Sequence, residues 1–167
     1  REYGLDVTGH VDQRRDPELS TMAASRYLRK AFEQYGSWTL AAAAYNRGPS
    51  GIGDAVRQQQ VDNYYDLYLN EETYRYIFRI LALKLILENA AAYGYELEDG
   101  DLYQPYNYRL IEVTSTIEDL PAFAKSLGLT YKELKEYNPW LFNRDYKLVV
   151  PSGKTYRVKI PVEKSSE

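Results

Sequence analysis

The chain has 167 residues and a mass of 19.4 kDa, enough for one ordinary domain or two small ones. A net charge of −3 leaves no positive excess to neutralise phosphates, which argues against a nucleic-acid binder. With no Cys and a single His, His10, the chain excludes disulfide scaffolds, thiolate zinc sites, iron–sulfur clusters, cysteine nucleophiles and multi-histidine metal sites, and neither cofactor nor metal is expected. No apolar run is long enough to be a transmembrane segment or a secretory signal. The first residue is Arg1 rather than Met, which suggests a processed or excised chain.

Taken in chain order, the first part reads as helical. Asp16-Pro17-Glu18 combines an N-cap, a Pro at the first helical position and a first-turn acid, so a helix should start at Pro17 and stop at Gly36. Ser37 caps a second helix over 38–45, which Asn46-Arg47-Gly48-Pro49 must end. A weaker helical stretch covers 52–59, and 61–69 is ambiguous between helix and loop. Asn70 then caps a long helix from 71 to about 93. Its broad apolar face (Tyr74, Ile77, Phe78, Leu81, Leu85, Leu87) suggests the central helix of a packed bundle, and Gly94 ends it.

An acidic, Gly-containing stretch at 94–101, followed by Pro105, is the best linker. Charge changes across it: residues 1–104 carry 11 Lys+Arg against 16 Asp+Glu, and residues 105–167 carry 10 against 8, so the two parts stand at −5 and +2. Beyond it the pattern switches. Residues 108–113 are strand-like; Ser115-x-x-Glu118 and Thr116-x-x-Asp119 are overlapping capping boxes for a helix ending at Gly128. Thr130-x-x-Glu133 opens a shorter helix ending at Asn138-Pro139, and 155–160 alternates as a strand. The order β-α-α-β makes a small antiparallel module, and the whole chain is α+β.

The most informative segment is Ala41-Ala-Ala-Ala-Tyr45-Asn46-Arg47-Gly48-Pro49, where an aromatic hydroxyl and an amide sit at a helix end able to face a cleft and bind a polar ligand such as a sugar. The plainer reading is helix termination alone. With Glu72-Thr73-Tyr74-Arg75-Tyr76-Ile77 opening the long helix and Arg14-Arg15-Asp16-Pro17 upstream, the segment resembles the peptidoglycan lytic transglycosylases of the soluble-lytic-transglycosylase type, particularly the membrane-bound murein transglycosylase D subfamily. Its Ala-Tyr-Asn-x-Gly-Pro motif is matched by residues 44–49 and its Glu-Thr-x-x-Tyr-Val motif by residues 72–77. The resemblance implies a mostly helical, lysozyme-like half-domain over 1–95, then a linker at 96–107.

It also implies an activity: a Glu protonates the glycosidic oxygen between N-acetylmuramic acid and N-acetylglucosamine, and the muramyl 6-hydroxyl closes on the anomeric carbon to give a 1,6-anhydro product. Tyr45, Asn46 and Tyr76 are the implied substrate-binding residues. The family's Glu-Ser motif has no match before Tyr45, where the Glu residues are Glu2, Glu18 and Glu33. Glu18 reads as a first-turn acid and Glu33 as part of a solvated face. The chain is therefore expected to hold no catalytic residue and to be inactive alone, its acid lying upstream.

Residues 108–161 resemble a LysM module through Tyr108, Phe123-Ala124-Lys125, Leu127, Leu134, Tyr137-Asn138-Pro139, Leu141 and Val158-Lys159-Ile160-Pro161, with 162–167 as a tail. The groove the resemblance implies for N-acetylglucosamine lies between Thr114-Ser115-Thr116 and Asn138-Pro139-Trp140. The family's usual Gly-Asp-Thr is reduced to Thr116, so a degenerate module that packs or spaces more than it binds is expected.

The implied partner is the peptidoglycan glycan strand, and the implied location is periplasmic or outer-membrane-associated. The alternative is a non-catalytic peptidoglycan-binding or scaffold protein of the cell envelope; a helical interaction domain with no glycan role is the blandest option. The half-domain is further expected either to self-associate through exposed apolar surface or to have a mobile segment at 1–16.

Overall fold

Capping chemistry accounts for most of the helix starts. In the computed structural model, which describes residues 2–142 and 145–162, helix α1 (Pro17–Tyr35) begins behind Asp16. The Asp16 Oδ1 accepts from the backbone N–H groups of Glu18 and Leu19, each at 3.0 Å. Gly36, at φ 66°, ends the helix in the left-handed conformation that glycine adopts without Cβ strain. Helix α2 (Trp38–Arg47) is capped by the Ser37 hydroxyl and runs two residues past the expected end. Helix α3 (Pro49–Gln59) starts at Pro49 rather than at 52, because the fixed φ of Pro suits the first helical turn. The ambiguous stretch 61–69 contains only a short 3-10 turn, Tyr64–Asp66.

Helix α4 (Glu71–Glu88) departs from expectation at both ends. Asn70 does not cap it with its side chain; its Oδ1 instead accepts from Arg47 Nη1 at 2.7 Å. The helix stops before 93 because Asn89 leaves the helical conformation and its Nδ2 donates to the Leu85 carbonyl at 3.0 Å, a side chain competing with the backbone ladder. Its apolar face is likewise buried only near the start, at Thr73 and Ile77, whereas Phe78, Leu81, Leu83, Leu85 and Leu87 are exposed. The bonds that reach α4 from Tyr64 and Asn46 fall in its first turn.

In the second part, strands β1 (Tyr108–Val113) and β2 (Tyr156–Pro161) pair antiparallel, with Tyr108 opposite Pro161 and Val113 opposite Tyr156. Between them lie α5 (Leu120–Ser126) and α6 (Tyr131–Tyr137). Helix α5 starts later than the two overlapping boxes predict. A helix from 116 would place Pro121 in its interior, where the ring clashes with a preceding carbonyl, so Asp119 caps instead, through Ala122 N–H at 2.9 Å. The Thr130/Glu133 box before α6 forms as expected.

The packing separates two units: residues 24–103, and residues up to 23 together with those from 104 onward. Residues 2–23, grouped with the helical part in the sequence reading, thus cluster with the module. The helical unit has a core of Leu40, Ala41, Ala43 and Ala44 from α2, Ile52 and Ala55 from α3, and Tyr64, Leu67, Leu69 and Ile77. The small alanines let neighbouring elements approach α2 closely. The module's core is the inner face of the sheet (Val113, Tyr156, Val158, Ile160) covered by Leu120, Ala124, Leu134, Trp140, Leu141 and Leu148.

Val11 joins that second core. Its neighbours run antiparallel to 140–142: Asp12 N–H donates to the Trp140 carbonyl at 2.8 Å, and Phe142 N–H to the His10 carbonyl at 2.9 Å. Lys159 Nζ then bonds Asp16 Oδ2 at 3.0 Å and Glu18 Oε1 at 3.2 Å, with only 2% of the Asp16 side chain exposed. Burial works against the Lys159 charge, but the Asp16 and Glu18 carboxylates outweigh it and hold its pKa above the ordinary value. Within residues 6–16, Asp6 N–H bonds the Gln13 side chain, the Asp6 carboxylate pairs with Lys154, and Val11 pairs with Leu141. The expected tail, apart from Val162, and Arg1 lie outside the described residues. No helix among the described residues is long and apolar enough to cross a membrane.

Candidate functional site

The last turn of α2 delivers Tyr45 and Asn46 to the first turn of α4. Tyr45 is 47% exposed, and its ring meets that of Tyr27 edge-on, with centroids 5.4 Å apart. Tyr27 donates its hydroxyl to the Ala44 carbonyl at 2.7 Å, which fixes the ring under the motif. Asn46 bridges the two helices. Its Nδ2 donates to Glu72 Oε1 at 3.1 Å, and its Oδ1 accepts from Thr73 Oγ1 at 2.8 Å. One residue on, Arg47 donates to Asn70. The two segments singled out in the sequence, 44–49 and 72–77, are therefore in direct contact.

Thr73 is 1% exposed, and beneath it Tyr64, also 1% exposed, donates to the Thr73 and Tyr74 carbonyls at 2.9 and 2.6 Å. Burial pushes the Tyr64 hydroxyl pKa up, so it stays a neutral donor. Tyr76 lies one turn along α4 from Thr73, half-buried against the helical core. The site thus has a rigid, buried floor and an exposed aromatic and amide rim. Sequence reasoning did not single out Tyr27, Glu72 or Thr73 as site residues. The signal for the last two was present, since both belong to the quoted motif. Tyr27 had none, because its role depends on α1 packing against α2.

The module's expected groove is placed differently. Thr114 and Ser115 are exposed, and Thr116 turns inward, its hydroxyl accepting from Val150 N–H at 3.1 Å. Asn138 is fully buried. Its Nδ2 donates to the carbonyls of Leu134 and Lys159 at 2.9 and 2.7 Å, and its Oδ1 accepts from Lys159 N–H at 2.7 Å. Trp140, named in the expected groove, is a core residue, 2% exposed and packed against Tyr156 at 5.5 Å. Pro139 is half-buried and lines a separate cavity of about 400 Å³ with Tyr106, Tyr108, Tyr137, Glu18 and Lys159. There both Glu18 oxygens accept from the Tyr108 hydroxyl, at 2.7 and 2.9 Å, which raises the Tyr108 pKa. Among the described residues no cluster of His, Cys, Asp and Glu is arranged to hold a metal ion.

Residues 1–67 match the transglycosylase SLT domain family, and residues 109–164 match the soluble lytic transglycosylase C-terminal LysM-like domain. Similar curated proteins include the membrane-bound lytic murein transglycosylase D of Escherichia coli strain K12 and that of Escherichia coli O6:H1. Each is 31% identical over 143 residues, covering 83% of this chain and 31% of the relative. The chain therefore spans a little under a third of the length of these relatives. Residues 44–49 at the α2–α4 contact lie within the first match, residues 72–77 lie beyond it, and the βααβ module coincides with the second, so the chain carries part of a transglycosylase SLT domain followed by a soluble lytic transglycosylase C-terminal LysM-like domain.

Proposed function

We propose that this chain is the substrate-cleft portion of a peptidoglycan lytic transglycosylase of the cell envelope, joined to a LysM-like module that spaces or packs more than it binds. The observation that carries this reading is the Asn46 bridge to Glu72 and Thr73, because it brings the Ala-Tyr-Asn and Glu-Thr motifs together at a half-exposed amide beside the exposed ring of Tyr45. In this reading Tyr45 and Tyr76 line the cleft and Asn46 bonds the sugar near the scissile linkage between N-acetylmuramic acid and N-acetylglucosamine. The muramyl 6-hydroxyl then closes on the anomeric carbon to release a 1,6-anhydro product.

The general acid comes from a segment outside this chain. Such an acid needs a carboxyl within hydrogen-bonding reach of the glycosidic oxygen, with its pKa raised by burial. Glu18 is committed to Tyr108 and Lys159, and Glu72 is exposed and accepts from Asn46. The 167-residue chain is accordingly inactive alone. Incubation with purified peptidoglycan, followed by chromatography for anhydro-muropeptides, tests this: the expected outcome is no release, with release restored in a longer chain carrying an upstream Glu-Ser segment. Release by the 167-residue chain itself would overturn the assignment of the acid.

A further inference from the structure

We propose that the cavity of about 400 Å³ walled by Tyr106, Tyr108 and Tyr137 with Pro17, Pro105 and Pro139 is a docking site for a proline-rich peptide in the polyproline II conformation, flanked by a basic residue. The proposal is independent of the sugar reading of Tyr45 and Asn46. Every wall residue belongs to the module or to residues 2–23, which cluster with it. Local bonds fix three of the walls. Tyr137 and Pro139 flank Asn138, whose buried amide ties the end of α6 to Lys159. Tyr108 opens β1 and is held by its bonds to Glu18, while Lys159 Nζ lies 5.1 Å from its ring centroid. Tyr106 rests against Tyr137, with centroids 4.9 Å apart and planes tilted by 57°. The same two rings and Pro105 also line a second cavity of about 220 Å³, so the ring pair is shared by two adjoining slots.

The polar inventory decides what these slots accept. Glu18, Lys159 and the Tyr108 hydroxyl lie in the larger cavity but bond to one another, and Asp16 holds Lys159 as well. A sugar carries a hydroxyl on most of its ring carbons, and with the charged groups already spent most of these would be buried without partners. A proline ring has no polar atom and packs on an aromatic face. The polyproline II backbone has no internal hydrogen bonds, so its carbonyls need donors. The hydroxyls of Tyr106 and Tyr137 have no partner among the described residues, and each can supply one. The remaining charge is acidic: Glu136 lines the cavity with its side chain 53% exposed and only a loose pairing to Lys132 at 3.6 Å, which complements a Lys or Arg beside the proline run. Such a peptide is already extended before it binds, so little ordering cost opposes docking.

The test is fluorescence anisotropy of the full chain with a fluorescein-labelled peptide of one Arg followed by nine prolines. The controls are an Arg-led Gly-Ser peptide of equal length and N-acetylglucosamine tetramer. The proline peptide is expected to saturate, and the Gly-Ser peptide to bind about tenfold more weakly or less, because it must first be ordered. Tyr106→Ala, at an exposed position outside the core, weakens the proline peptide about tenfold. Tyr106→Phe weakens it about threefold through the lost hydroxyl. Glu136→Gln weakens it about twofold at low salt and not at high salt. The backbone ¹H–¹⁵N signals of Tyr106, Tyr108 and Tyr137 shift as the proline peptide is added. Equal binding of the two peptides, or proline-peptide binding unchanged in Tyr106→Ala, would overturn the proposal. Shifts at these tyrosines caused by N-acetylglucosamine tetramer and not by the proline peptide would assign the cavity to glycan and overturn it equally.

Discussion

Two asparagines at helix ends, Asn46 in α2 and Asn138 after α6, belong to the two motifs that carry the family resemblance, yet the fold uses them in opposite ways. Asn138 is fully buried and spends its amide on the carbonyls of Leu134 and Lys159 and on the Lys159 N–H, tying α6 to β2. Asn46 is half-exposed and spends half its capacity on Glu72 and Thr73. A buried amide must be satisfied internally or cost the fold stability, so Asn138 is a structural pin; a rim amide keeps capacity for a ligand. The same residue type in a family motif is therefore weak evidence for binding until its bonds are counted.

That contrast can be broken most strongly at the module's other polar link. Lys159→Met leaves the Asp16 carboxylate buried without its cation, and the expected loss is about 3 kcal/mol of unfolding free energy. Urea denaturation followed by Trp140 fluorescence in a Trp38→Phe background reads the module alone; a loss under about 1 kcal/mol means the pair is solvated and structurally unimportant. Asn138→Ala comes next, at about 2–3 kcal/mol, because it strands the Lys159 backbone N–H and carbonyl, while the Leu134 carbonyl keeps the backbone N–H of residue 138. Asn46→Ala, by contrast, should cost about 1 kcal/mol or less, since its groups can reach water. If the two alanine variants were equally destabilised, the distinction between pin and ligand would fail.

Alkaline pH sharpens the same comparison with a smaller effect. Burial, aided by the nearby Asp6 carboxylate, pushes the Tyr156 hydroxyl up to about 12, above the ordinary value of 10.0. The folded state holds this proton more tightly than the unfolded chain, so stability is intact below pH of about 10 and falls as the pH rises toward about 12. Lys159, also shifted upward, acts in the same direction. The denaturation midpoint of the module should drop over that window, and Tyr156→Phe should flatten the drop. The smallest expected effect is at the exposed Arg47–Asn70 bond, where Arg47→Ala should change stability by about 0.5 kcal/mol, read by thermal unfolding.

Much of the local structure was legible because its causes are local. The Asp16-Pro17 start, the Ser37 cap, the Thr130/Glu133 box and the glycine stops at 36 and 128 each depend on bonds or conformations within a few residues. Where two local signals competed, the reading was less secure. Ser115 and Thr116 offered caps, but Pro121 excluded a helix that began so early, and Asp119 took the role. Asn70 looked like a cap until Arg47, 23 residues earlier, claimed its oxygen. The site was legible as two motifs, not as a geometry, since nothing in the order of residues says that Asn46 meets Thr73.

The sequence by itself determined the helix and strand inventory and the family resemblance, and it singled out Tyr45, Asn46 and Tyr76 as candidates, because periodicity, capping and motif order are properties of neighbouring residues. Only the tertiary structure decided that Trp140 and Asn138 are core, that residues 2–23 pack with the module through Val11 and the Asp16–Lys159 pair, and that α4 leaves Phe78, Leu81 and Leu87 exposed. Burial and hydrogen-bond satisfaction depend on contacts between residues far apart in the chain, and those contacts exist only once the elements have packed.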